Sequence, residues 1–251
     1  MGFDVAADAY DRFMGRYSRS LAPQLADLAG VRAGQRALDV GCGPGALTAE
    51  LVGRLGADAV AAADPSEPFV QAARRRHAGV EVALAGAEDL PFDDGAFDVA
   101  LAQLVVSFMS DPVAGLAEMR RITRAGGIVA ACVWDHAGGK APLSPFWRAV
   151  AQLDPGARDE SGQPGAREGQ LAALFETAGL DDVEDDALWV RVEHTFEEWW
   201  EPFTFGVGPA GAYVAGLDAD ACAELRERCR LLLGDPPLSL TMRAWAARGR
   251  A

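Results

Sequence analysis

The sequence predicts an α/β fold, a doubly wound parallel sheet with helices on both faces, on three observations. Between residues 36 and 134, apolar β-type runs alternate with helix-length amphipathic stretches, the pattern a parallel sheet needs because each crossover carries a helix. A glycine-dense turn, Gly41-Cys42-Gly43-Pro44-Gly45, follows the first run and opens a helical pattern. Asp39, Asp64, Glu88 and Gln103 stand at or just beyond the ends of separate runs, the edge where such sheets bind ligands.

The elements follow in order. Residues 4–29 read as a helix with Tyr10, Phe13, Met14 and Tyr17 at helical spacing, a stripe suited to packing on the domain, to closing over a ligand, or to both. Strands are expected at 36–40, 59–63, 80–85, 97–103 and 127–134. Residues 137–167 are rich in Gly, Pro and Ala with scattered helix signals, which reads as an insertion rather than a linker between domains. An amphipathic helix over 168–179 stops at Gly179. Alternating Leu188, Val190 and Val192 predict a strand at 187–193, and Leu238, Leu240, Met242 and Ala244 another at 238–247. The expected organisation is one domain over 1–251, with a helical lid at 1–30, a core at 31–136, and an insertion, sheet edge and cap at 137–251.

Composition narrows the partners. Half of the 251 residues are apolar and the formal charge is −14. A nucleic-acid partner is disfavoured, since binding a phosphate backbone needs basic surface to displace counterions. A small neutral or cationic molecule suits this balance better. Cys42, Cys132, Cys222 and Cys229 form neither a C-x-x-C pair nor a zinc spacing, so they read as free thiols of a reducing compartment. No metal-ligand spacing, secretory signal or membrane-span run is visible, and a cytoplasmic monomer or homodimer is expected.

The glycine turn narrows the ligand. Alternate glycines permit positive φ and remove the Cβ atoms that would hold a ligand off the main-chain N–H groups. A dinucleotide fingerprint reads G-x-G-x-x-G, but here the third glycine is Gly45, one place early, with Ala46 at the fingerprint position. Asp39, two residues before the turn, would face a pyrophosphate with like charge. An ammonium group fits there, and S-adenosylmethionine (SAM) carries one beside a sulfonium and an adenosine, without phosphate.

From these residues the chain resembles the class I SAM-dependent methyltransferases, in the small-molecule branch that includes the ubiquinone/menaquinone-biosynthesis type. Leu38 to Gly45 resembles that family's first motif, and Ala63-Asp64-Pro65-Ser66 its second-strand acid. Gly86 to Phe92 with Gly95 to Val99 resembles the adenine loop and fourth strand, and Glu118 to Gly127 the following helix and turn. Two positions depart: Gly86 stands where the family usually has an acid, leaving the adenine contact to Glu88 or to backbone, and Ala125 stands where it usually has proline.

The resemblance implies a Rossmann-like, mostly parallel seven-stranded sheet ending in an antiparallel hairpin. It implies SAM as cofactor, S-adenosylhomocysteine as product and a small-molecule methyl acceptor, methylated at O, N or C by in-line displacement. The implied cofactor residues are Gly41, Gly43, Gly45 and Asp39 at the turn, Asp64 and Pro65 for the ribose, Ala87 and Glu88 for adenine, and Gln103 with Arg16 toward the methionine. His136 follows the fifth strand and is either a base for the acceptor or an ordinary loop histidine. Trp134, Trp200, Phe203 and Tyr213 are the expected apolar acceptor surface. A SAM-binding protein of the same fold that catalyses a cyclisation, and an NAD-dependent oxidoreductase, are the alternatives.

Overall fold

A computed structural model describes residues 7–234 and 237–251. Seven strands form a single sheet: β1 (Ala37–Val40), β2 (Val60–Asp64), β3 (Glu81–Leu84), β4 (Phe97–Gln103), β5 (Thr123–Trp134), β6 (Asp181–His194) and β7 (Leu238–Arg250), in the order β3-β2-β1-β4-β5-β7-β6. β1 to β5 are mutually parallel, and β7 runs antiparallel between β5 and β6. Strand order reverses beside β1, so β1 and β4 diverge at their carboxyl ends and open a crevice there.

β1 and β2 are buried along their whole length, which explains how Val60-Ala61-Ala62-Ala63 is extended despite the helix propensity of alanine: small apolar residues covered on both faces suit a central strand. Alternation sorts β5 into two layers. Val129, Ala131 and Val133 join the core beneath the helices Pro112–Ile122 and Gln170–Thr177. Ala130, Cys132 and Trp134 face the opposite core, built with Leu21 and Leu25 of the helix Arg16–Leu28 and the aromatic rings of 196–214. Trp134 thereby ends on the face that the N-terminal helix covers.

Three expectations are amended. The expected 4–29 helix is continuous from Ala7 to Leu28 but contains a π turn at Asp11–Gly15, and residues 4–6 lie outside the described part. β5 begins at Thr123 rather than 127, because an irregularity between the pairs Phe97–Thr123 and Val99–Ile128 absorbs the glycine turn within the strand. The last two strands are, as expected, an antiparallel pair at the sheet edge, joined through residues 195–237 with β6 outermost. β6 also starts six residues earlier than its apolar alternation, at Asp181. Its acidic start pairs with arginines of β7, Arg248 with Glu184 at 2.6 Å and Arg250 with Asp182 at 3.1 Å, so cross-strand charge replaces the missing hydrophobic signal.

Candidate cofactor and acceptor site

The crevice at the carboxyl ends of β1, β2, β4 and β5 opens into a cavity of about 730 Å³, within the ordinary size range of ligand pockets. Its floor is the glycine turn. Gly41 N and Cys42 N donate to Ala63 O at 2.8 and 3.0 Å, suspending the turn from β2. Gly41 has φ 68°, and a Cβ there would lie 2.3 Å from Val105 Cγ2, so only glycine permits this approach to the segment after β4.

Two carboxylates sit under the turn. Asp64 Oδ2 accepts from Gly43 N and its Oδ1 from Ser66 N, both at 2.8 Å, while the group lines the cavity. Each oxygen retains a second acceptor site. Asp39 is 1 % exposed and lies beneath the lining; its Oδ2 accepts from Thr48 Oγ1 at 2.6 Å, and its Oδ1 has no protein partner. Burial raises its pKa to about 7 against the lowering effect of Thr48, with the charge of Asp64 adding to the rise.

On the flank, Glu88 Oε1 accepts from Ser110 N, Ser110 Oγ and Asp111 N. Burial opposes its ionisation, but these donors outweigh it and hold the carboxyl below its ordinary range. Its Oε2 lies 3.2 Å from where a side chain on Gly86 would begin, so Glu88 fills the space of the acid that Gly86 lacks. Leu104, which follows β4, holds φ 62°, an unusual conformation for leucine, at the cavity wall. Gln103 donates through Nε2 to Ser18 O at 3.0 Å, and its Oε1 is buried without a protein partner. The Trp134 Nε1 donor is likewise unpaired, and its ring stands edge-on to Tyr17 at 6.3 Å.

Strand spacing sets the scale of the site. Asp64 on β2 and Trp134 on β5 are three strand positions apart, roughly 14 Å at ~4.8 Å per strand. The far end holds His136, Leu143 and Glu160. Burial pushes the His136 imidazole down to about 4 despite the opposing charges of Asp135 and Asp159, so it is neutral at physiological pH and a weaker base than an exposed histidine. Asp135 belongs to the scaffold, paired with Arg243 at 2.7 Å and capping Gly138 N.

The cavity therefore brings together Gly41, Gly43, Asp64, Pro65, Ala87, Glu88, Gln103, Trp134 and His136. Six expected residues are outside the lining: Asp39 lies beneath it, and five others lie elsewhere. Arg16 turns back to Arg12 O and to His194 Nδ1, away from the lining; the lid reaches the cavity through Tyr10, Phe13 and Met14 instead. Gly45 caps the helix Ala46–Leu55 and abuts the His77 ring, where a Cβ would meet Nε2 at 2.4 Å. Trp200 and Phe203 are core: Phe203 is 1 % exposed and stacks on Phe146 at 4.6 Å, and Trp200 stacks on Phe196 at 6.3 Å. Tyr213 donates to Asp154 Oδ2 and packs edge-on to Trp147 behind the wall.

Glu160 and the segment Val105–Ser110 are lining that sequence reasoning missed. Neither carries a motif, and only the buried placement of a lone glutamate in an otherwise Gly/Pro-rich stretch marks the first.

Unpaired buried acceptors on Asp39 and Gln103, adjacent carboxylates under the turn, and no lysine or arginine among the described lining residues fit a cationic, phosphate-free ligand. Fold and crevice are similar to those of class I SAM-dependent methyltransferases. Residues 38–131 match the family described as a methyltransferase domain.

Over 138 residues the chain is 38% identical to a demethylmenaquinone methyltransferase from Clavibacter sepedonicus, covering 52% of this chain and 55% of that one. Over 131 residues it is 32% identical to a malonyl-[acyl-carrier protein] O-methyltransferase from Serratia marcescens, covering 50% and 51%. The chain thus spans about half the length of these curated relatives. The YcgJ protein of Bacillus subtilis shares the fold, with a TM-score of 0.58 at 18% identity over 94% of this chain and 98% of that one. Among the described residues no helix is long and apolar enough to cross a membrane, and no group of side chains could hold a metal.

Proposed function

We propose that this chain binds SAM across the crevice and directs its methyl group to an O, N or C nucleophile of a small apolar or aromatic acceptor. The observation that carries the reading is the pair Asp39 and Asp64 beneath a glycine turn, in a cavity lined by no lysine or arginine among the described residues. A pyrophosphate would meet two carboxylates there; an ammonium, directly or through water, finds acceptors.

The proposed roles follow strand by strand. Asp64 offers its remaining acceptor sites to the ribose hydroxyls beside Pro65, and Ala87 N–H with Glu88 Oε2 suits the adenine edge. Gly41 and Gly43 supply close backbone approach, and Gln103 Oε1 with Asp39 Oδ1 suits the amino-acid end. Bound there, SAM supplies an electrophilic methyl group on a good leaving group. What remains for the protein is positioning, holding the nucleophile in line at about 3 Å and excluding water. The lid face of Tyr10, Phe13 and Met14 suits that exclusion. Neutral His136 can accept a hydrogen bond from the acceptor and orient it. The proposed division is lid at 1–30, cofactor core at 31–136, and sheet edge and acceptor wall at 137–251.

Calorimetry with SAM, S-adenosylhomocysteine and NAD tests the reading. Micromolar binding of the first two and none of NAD is expected; the reverse order overturns it. Formation of S-adenosylhomocysteine with a methylated acceptor separates transfer from a cyclisation that merely uses the bound cofactor.

A further inference from the structure

The far end of the cavity carries a buried carboxyl that the cofactor reading leaves unused. Glu160 is 4 % exposed, and its Oε2 accepts from Trp147 Nε1 at 2.7 Å. Trp147 is itself fixed, edge-on to Phe146 at 5.1 Å and to Tyr213 at 6.0 Å. Asp159 bears electrostatically on both Glu160 and His136, and both of these line the cavity. Burial raises the Glu160 carboxyl to about 7, and no lysine or arginine among the described lining residues offsets it.

Such a carboxyl discriminates. A ligand with a hydroxyl or amine head gives it a donor, and an ammonium gives it a counter-charge. A carboxylate or phosphate head meets the ionised carboxyl with like charge, in a recess with no lysine or arginine among its described lining residues, the arrangement by which a site rejects a wrong partner. We propose that Glu160 sets the acceptor class: the site takes a small apolar or aromatic molecule whose polar head is a hydrogen-bond donor, a hydroxyl or an amine, and excludes carboxylates and phosphates. This rests on the reading that the Trp134–His136 end is the acceptor side.

The test uses the full chain. Calorimetry of S-adenosylhomocysteine examines the cofactor reading alone. Protein saturated with that product is then offered matched aromatic fragments bearing hydroxyl, aminomethyl or carboxylate heads on the same rings, followed by ligand-observed NMR at pH 8, where the Glu160 carboxyl is ionised. Hydroxyl and amine fragments should bind at least about tenfold tighter than their carboxylate twins. Glu160→Gln, which keeps an oxygen for Trp147 Nε1, should narrow the gap to about threefold or less, with product affinity unchanged. Should that variant not fold, judged by its circular dichroism melt, the parent's ranking decides alone. Carboxylates binding as well as donors, no donor-headed fragment binding, or full discrimination in a folded Gln variant overturns the proposal. If the ranking holds but S-adenosylhomocysteine does not bind, the cofactor reading fails and the role of Glu160 stands.

Discussion

The two ends of the cavity are built by different means. The end under β1 and β2 is made of backbone and short-range sequence: a turn whose N–H groups bond to Ala63 O and to Asp64, and acids at strand termini. The end beyond β5 is made of residues from three distant segments, His136 after β5, Leu143 with Glu160, and Gly208 with Pro209. A cofactor common to many proteins can be held by a conformation that only glycine permits. An acceptor specific to one protein needs walls, and those walls are held by packing at long sequence separation.

If that contrast is right, the aromatic cluster behind the acceptor end is structural, and its loss should be felt first as stability. Phe203 touches Phe13, Phe146 and Trp199 within 5.6 Å. Phe203→Ala should cost about 3–5 kcal/mol, the usual range for a buried ring, read as a denaturant-midpoint shift at unchanged slope. A stable Phe203→Ala protein that loses only acceptor binding would return Phe203 to the pocket.

The corresponding break at the cofactor end is Gly41→Ala. Positive φ and a Cβ 2.3 Å from Val105 Cγ2 combine there, so destabilisation of about 2–4 kcal/mol is expected, with loss of S-adenosylhomocysteine binding. An unchanged melt with intact binding would show that the turn has slack. Smaller again is Asp64→Ala. Losing hydrogen bonds to a charged group should weaken S-adenosylhomocysteine binding by about 1.5–3 kcal/mol, and equal affinity in the variant would displace the proposed ribose site.

The same contrast explains what could be read from the chain. β1 to β5, the turn and the strand-end residues Asp39, Asp64 and Gln103 were legible because strand period, glycine spacing and acid placement are local properties. The acidic start of β6 was not, because Asp181 to Asp186 has no apolar alternation and is held by arginines of β7 instead. Trp200 and Phe203 read as pocket because aromatic content cannot say which way a ring faces. Arg16 failed for the same reason: helical spacing located the lid, yet the guanidinium found Arg12 O and His194. Glu160 had no pattern around it, and only folding brings it to the cavity that His136 also lines.

The finest test concerns Asp39, where binding and stability should pull apart. Its carboxyl is raised from 3.8 to about 7, chiefly by burial. Below about pH 4 the group is protonated in both folded and unfolded chains and contributes no difference. Between pH 4 and 7 the unfolded chain releases the proton that the folded chain keeps, so stability falls as pH rises. Above 7 the folded protein carries the full cost of a buried carboxylate. The shift would correspond to roughly 4 kcal/mol, but Asn would weaken the bond from Thr48 and place an amide donor where Oδ1 has no partner. Asp39→Asn should therefore stabilise the ligand-free protein by about 1–2 kcal/mol at pH 8 and by little near pH 4, while weakening S-adenosylhomocysteine binding. Glu160 and His136 titrate in the same window, so the quantity to follow is the difference between variant and parent, by denaturant midpoints at several pH values. A difference that does not grow with pH would mean that Asp39 is not the strained acid that the cofactor end keeps ready for its ligand.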